Sequence, residues 1–127
     1  MALKVELKPG ERLIIGGTVI TNGDTRTQLL VEGHAPILRE KDILTPETAN
    51  SPARRIYLAV QMMYLTEDIS ELQETYFSLI ADFMKAVPSS FPHIEAINHQ
   101  ILTGQMYKAL KQAKHLLTYE EELLKHA

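Results

Sequence analysis

Apolar and polar residues alternate at the start of the chain, so Leu3, Val5 and Leu7 point to one side of an extended strand and Lys4, Glu6 and Lys8 to the other. Pro9-Gly10 supplies a turn, and Leu13 to Ile20 reads as a second, mostly apolar strand around Gly16-Gly17. The glycine pair marks a bulge or a close backbone approach. The functional alternative, a phosphate-binding loop, lacks dinucleotide or Walker-type spacing. Asn22-Gly23 ahead of the run Thr25 to Glu32 predicts a hairpin. Gly33 to Pro36 closes that run, and Ile37-Leu38 leads as an edge strand into the polar turn Arg39-Glu40-Lys41-Asp42.

Past Asn50 the apolar period lengthens to that of helices. Ser51 is a helix cap, Pro52 suits the first helical position, and Ile56, Ala59, Val60 and Met63 form the buried stripe. Tyr57 and Tyr64 are placed at its border, and Met62 and Met63 in the core. A second helix begins after Asp68, which forms a capping box with Glu71, and runs to about Val87 on Leu72, Tyr76, Leu79, Ile80, Phe83 and Val87. Pro88-Ser89-Ser90 interrupts it, a third helix after Pro92 buries Ile94, Ile97 and Ile101, and Gly104 turns the chain into a long last helix. Tyr107, Leu110, Ala113, Leu117 and Leu124 give that helix one face, broadened by Ala109, Leu116 and Leu123. The predicted class is α+β: an antiparallel β lobe of about five short strands in residues 1–50, then four helices in residues 51–127.

Composition sharpens this picture. A chain of 127 residues, 45% hydrophobic, can bury a core but excludes a large multi-domain catalyst. The net charge of −3 argues against binding nucleic acid with the whole surface. That charge is uneven: residues 1–55 carry eight Lys/Arg against seven Asp/Glu, and residues 56–127 five against nine. Low aromatic content and the absence of Trp disfavour a reader built on stacked aromatic platforms. The absence of cysteine removes disulfides, thiolate nucleophiles and Cys-based metal sites, and fits the cytoplasm. No segment has signal-peptide or membrane-span character, so a soluble protein without a membrane partner is expected.

Candidate catalytic chemistry is sparse. His93 and His99 are six apart, unlike a helical metal pair, and His34, His115 and His126 stand alone. Glu120-Glu121-Glu122 offers no separated acid and base. No enzyme activity, cofactor or metal is therefore predicted. Charged residues give binding candidates instead. Lys8, Arg12, Arg26, Arg39 and Lys41 are candidates for a phosphate-contacting patch, with an ordinary solvated surface as the alternative. Arg54 and Arg55 lie in a first helical turn, where the dipole disfavours cations, so they serve a partner or a local carboxylate. On the last helix, Lys108, Lys111 and Lys114 precede Glu120 to Glu122, the reverse of the order its dipole prefers; that helix faces a partner or is an ordinary solvated one.

Three blocks in order, MALKVELKPGERLIIGG, HAPILREKDILTPETANSPARRIYLAVQMMYL and NHQILTGQMYKALKQAKHLLTYEEELL, closely resemble the FlbT family of flagellum biosynthesis repressors. The resemblance implies post-transcriptional repression of flagellin through the 5′ untranslated region of its mRNA, promoting decay, with FlaF acting with or against the repressor. More weakly, the first lobe resembles the mRNA-binding CsrA family in Leu3–Lys8, Gly10–Gly16 and Arg39–Ile43. Leu7 stands where that family has a basic residue, while Lys8 matches the next basic position and Arg39 a later RNA-contacting arginine. These likenesses imply RNA contacts through Lys8, Arg12, Arg39 and Lys41, and a homodimer of β lobes. The alternative implied is a protein-binding flagellar regulator, without direct RNA contact, whose helices hold FlaF or flagellin through Arg54, Arg55, Tyr107 and Lys108.

Overall fold

In the computed structural model, which describes residues 2–66 and 69–126, the period-two opening forms β1 (Leu3–Leu7), paired antiparallel with β4 (Thr27–Val31) so that Val5 lies opposite Leu29. A second sheet has β2 (Arg12–Ile15) between β3 (Thr18–Thr21) and β5 (Ile37–Arg39), all antiparallel, with Leu13 opposite both Ile20 and Arg39. Val5, Leu7 and Leu13 are buried together, with Ile15, Leu29, Val31 and Ile37 packed against them. These strands belong to one compact unit, Met1–Ile43; a second spans Leu44–Ala127.

Two turn expectations need correction. Gly16-Gly17 is a hairpin turn rather than a bulge: it joins β2 to β3 with Ile15 opposite Thr18, and Gly16 takes φ +59. A right-twisted hairpin needs that positive φ, which glycine adopts at little steric cost. Asn22-Gly23, in contrast, does not join paired strands, because β3 and β4 lie in different sheets. The Asn22 amide instead donates to the carbonyls of Leu7, Lys8 and Thr25 at 3.1, 2.8 and 2.9 Å, fixing the passage from one sheet to the other. The polar turn after β5 is a single 3-10 turn, Glu40–Asp42.

Four helices make the second unit: α1 (Pro52–Leu65), α2 (Ser70–Ala86), α3 (Phe91–Leu102) and α4 (Met106–Lys125). The class is α+β, as predicted. Ser51 caps α1 by accepting the Arg54 N–H at 3.2 Å, with Pro52 at the first turn. Tyr57 is in the core rather than at its border, and Met63 is buried while Met62 is exposed. One helical position turns a side chain by about 100°, so adjacent methionines do not share a face. The capping box assigned to Asp68 lies outside the described residues; Ile69 precedes α2 and makes no side-chain cap bond. Tyr76, Ile80 and Phe83 of α2 and Ile94, Ile97 and Ile101 of α3 are buried. The face of α4 differs from the prediction: Ala109, Leu110, Ala113, Leu116 and Glu120 are buried, while Tyr107 and Leu124 are exposed. α4 packs against both α1 and α3, and alanines at 109 and 113 permit the close approach. Among the described residues no helix is long and apolar enough to cross a membrane.

Candidate binding sites

On the β unit, the end of β1 and the turn after β5 bring Lys8 and Lys41 to one cleft of about 330 Å³, lined also by Pro9, Gly10, Glu11 and Glu40. Its floor is held locally. Gly10 takes φ +75, the Glu11 N–H donates to the Lys8 carbonyl at 3.0 Å, and the Glu11 carboxylate accepts the Lys8 N–H at 2.9 Å. Arg39, on β5, stands beside this cleft without lining it. Its guanidinium donates to the Glu6 carbonyl at 2.9 Å and lies 4.0 Å from the Glu11 carboxylate. Arg39 therefore ties the two-stranded sheet to the three-stranded one, a structural task that sequence reasoning did not assign it.

Arg12 does not join this group. Arg39 lies opposite Leu13 and shares its face, so Arg12, the next residue along β2, points from the other face of that sheet. Lys8, Arg39 and Lys41 are thus three cations beside two carboxylates, Glu11 and Glu40. Arg26 is engaged elsewhere, 3.8 Å from Glu6. Such a mixed cleft is not a uniformly basic surface of the kind that holds polyanions indiscriminately.

The four helical candidates separate into two places. Arg54 and Arg55 begin α1, where the Arg54 guanidinium donates to Asn50 Oδ1 at 2.5 Å. Tyr107 and Lys108 begin α4. The Tyr107 ring lies 5.6 Å from that of Tyr64, near the end of α1, and carries Lys111 Nζ 5.2 Å from its centre. Since Ser51 at the start of α1 meets Glu120 of α4, the two helices are antiparallel, and Tyr107 sits about 20 Å along α4 from Glu120. The two pairs thus lie at opposite ends of the α1–α4 contact.

Glu120 is the residue that sequence reasoning most clearly missed. Its buried carboxylate accepts the Ser51 hydroxyl at 2.5 Å and the Ala53 N–H at 2.9 Å, capping α1 from another helix. The signal was present: Ala109, Ala113 and Leu116 recur at helical spacing, and the next position on that stripe is 120. Gln61, also buried, clamps the chain before α1 by accepting the Leu44 N–H at 2.8 Å and donating to its carbonyl at 2.9 Å. Three of the histidines have protein neighbours: the His93 ring of α3 lies tilted 4.7 Å from the Tyr119 ring of α4, His115 is 3.3 Å from Gln112, and His126 is 3.8 Å from Glu122.

Comparison with known proteins gives this arrangement a family. The model of the family described as flagellar protein FlbT matches residues 3–124. A probable flagellum biosynthesis repressor protein FlbT 1 of Bradyrhizobium diazoefficiens is 60% identical over 97% of this chain and 85% of its own length. A probable FlbT repressor of Rhodopseudomonas palustris is 58% identical over 98% of both chains. The flagellum biosynthesis repressor protein FlbT of Caulobacter vibrioides is 40% identical over 99% of this chain and 92% of its own. No solved structure matches, and the likeness to CsrA-type proteins is not confirmed. Matched along nearly its whole length by the family model and by these relatives, the chain belongs to the FlbT family.

Proposed function

We propose that this protein represses flagellum biosynthesis in the cytoplasm by binding the 5′ untranslated region of flagellin mRNA and promoting its decay. The relatives' names support the repressor role. The observation that carries the RNA reading is the convergence of Lys8 and Lys41, far apart in sequence, on one cleft beside Arg39. Lys8 and Lys41 contact phosphates, and the Arg39 fork, already held toward Glu6 and Glu11, orients the strand. A homodimer carrying two such clefts engages two leader segments and raises the effective affinity.

The test is a native-gel titration of the purified protein with flagellin leader RNA at rising salt. Binding is expected to weaken with salt, because each phosphate contact releases counterions. Replacing Lys8 and Lys41 together with alanine should flatten the logarithmic salt slope by about two. Absence of binding by the protein alone refutes direct recognition. A second reading, in which the helical unit binds FlaF or flagellin and represses indirectly, is supported by the exposed side chains Phe77, Phe91, Leu102, Tyr107 and Leu124. RNA retention that appears only after FlaF is added would favour it.

A further inference from the structure

Between the second half of α2 and the end of α4 runs an open groove of about 620 Å³. Leu79 and Phe83 of α2, with Val87 just beyond it, line one side, and Leu123 and Leu124 of α4 the other. Leu124 is 67% exposed and Leu123 37%. The groove exists because α1 packs against both α2 and α4, so these two flank its first turn without closing over it. From position 79 to position 87 is about 12 Å, or two helical turns.

The polar groups at the groove's base are already satisfied. Ser51 and the Ala53 N–H are hydrogen-bonded to Glu120, which also lines the groove. An apolar occupant therefore covers that base without stranding a donor or acceptor. Two opposite charges, Arg55 on α1 and Asp82 on α2, lie along the lining. An apolar wall two turns long on the α2 side, faced by two leucines of α4 and flanked by one cation and one anion, complements an amphipathic helix with apolar residues at i, i+4 and i+7. A second copy of this chain does not fill the groove with its own groove, because both copies present a concavity at this place, and light scattering tests the remaining ways a copy could enter it.

We propose that this groove docks an amphipathic helix of a protein partner, with an acidic side chain of that helix against Arg55 and a basic one against Asp82. The proposal deepens the protein-binding reading by naming the shape and charge of what the helical unit holds.

The probe is a fluorescein-labelled, N-acetylated synthetic helix of about 18 residues with leucines at this spacing and one glutamate and one lysine flanking them, titrated by anisotropy against the full chain. Binding is expected, and Leu124→Asp should weaken it at least about tenfold, since the substitution puts a charge where leucine contacts are made. Arg55→Glu should weaken it about fivefold, and a peptide with lysine in place of its glutamate should regain the loss on that variant. Because Arg55→Glu also places a like charge near Glu120, thermal melting of that variant by circular dichroism checks its folding, and recovery by the lysine peptide marks lost binding rather than unfolding. No binding, equal binding of a scrambled peptide, or indifference to Leu124→Asp overturns the proposal. So does light scattering that shows a dimer abolished by Leu124→Asp. If the peptide fails while purified FlaF binds and tolerates Leu124→Asp, the groove is excluded and the protein-binding reading stands.

Discussion

Replacing Glu120 with alanine tests the central joint of the helical unit. The carboxylate accepts from the Ser51 hydroxyl at 2.5 Å and from the Ala53 N–H at 2.9 Å, and Ala53 has no exposed surface. Truncation leaves that N–H buried without its partner, at a cost of about 1.5–3 kcal/mol for a hydrogen bond to a charged group. It also removes a negative charge from a helix N-terminus, about 0.3–1 kcal/mol more. Ser51 keeps its own bond to the Arg54 N–H and softens the loss. The expected destabilisation is about 3 kcal/mol, which lowers the melting temperature by at least about 12 °C in a unit of this size. Glu120→Gln keeps one acceptor oxygen in place and should cost about half as much. Urea unfolding followed by helical circular dichroism at 222 nm measures both, with Glu121→Ala, an exposed neighbour, as the control. If Glu120→Ala falls within about 0.5 kcal/mol of that control, the cross-helix cap contributes nothing and the reasoning fails.

Three further outcomes follow from single sites. Tyr76 is fully buried and donates to Asn98 Oδ1 at 2.6 Å, and burial pushes its phenol well above the usual value near 10. The folded state then holds a proton that the unfolded chain releases above pH 10, so this contribution is complete below pH 10 and lost as pH rises, by up to about 1.4 kcal/mol per unit. Urea midpoints from pH 8 to 11 should fall less steeply for Tyr76→Phe. Gly16→Ala should cost about 1 kcal/mol in thermal unfolding and Gly17→Ala less, because only Gly16 has positive φ while neither added Cβ meets an atom within 4 Å. Asn22→Asp should destabilise the β unit more than Asn22→Ala, since a carboxylate would face three carbonyl oxygens that now receive N–H bonds; chemical denaturation of the two variants decides the order.

What was legible in the sequence was local. Alternation fixed the inward side of β1, the Ser51-Pro52 pair marked the start of α1, and Ile94, Ile97 and Ile101 marked the buried side of α3. Strand pairing was not legible, because it depends on distant residues: a glycine pair inside an apolar run has the same composition in a bulge and in a hairpin turn, and nothing near Asn22 says that β4 pairs with β1. The face of α4 was ambiguous for a related reason. Two overlapping apolar stripes run along it, and the surfaces of α1 and α3 select the one with the small alanines. At the cleft, the basic residue types were readable but their assembly was not. Period two, applied to the Leu13–Arg39 pair, separates Arg12 from Arg39 once the register is known.

The charge order along α4 has a cause that a rule applied to one helix at a time does not reach. Glutamates near a helix C-terminus oppose that helix's own dipole, which is why Glu120 to Glu122 suggested either a partner-facing or an ordinary solvated surface. Antiparallel packing brings the end of α4 to the beginning of α1, so Glu120 is at once near an unfavourable terminus of its own helix and at the favourable terminus of another. The cost along α4 is small, because the dipole's effect is confined to the last turn and Glu120 stands five residues before Lys125. The gain at α1 is larger, since two direct hydrogen bonds are made in a buried place. The same geometry accounts for Arg54 and Arg55 in a first turn that disfavours cations: the carboxylate of Glu120 supplies negative charge at that turn, and Arg55 lines the same groove as Glu120. On the docking proposal, Arg55 in turn meets the acidic side chain of the partner helix, so that one N-terminal turn holds a cation between two carboxylates.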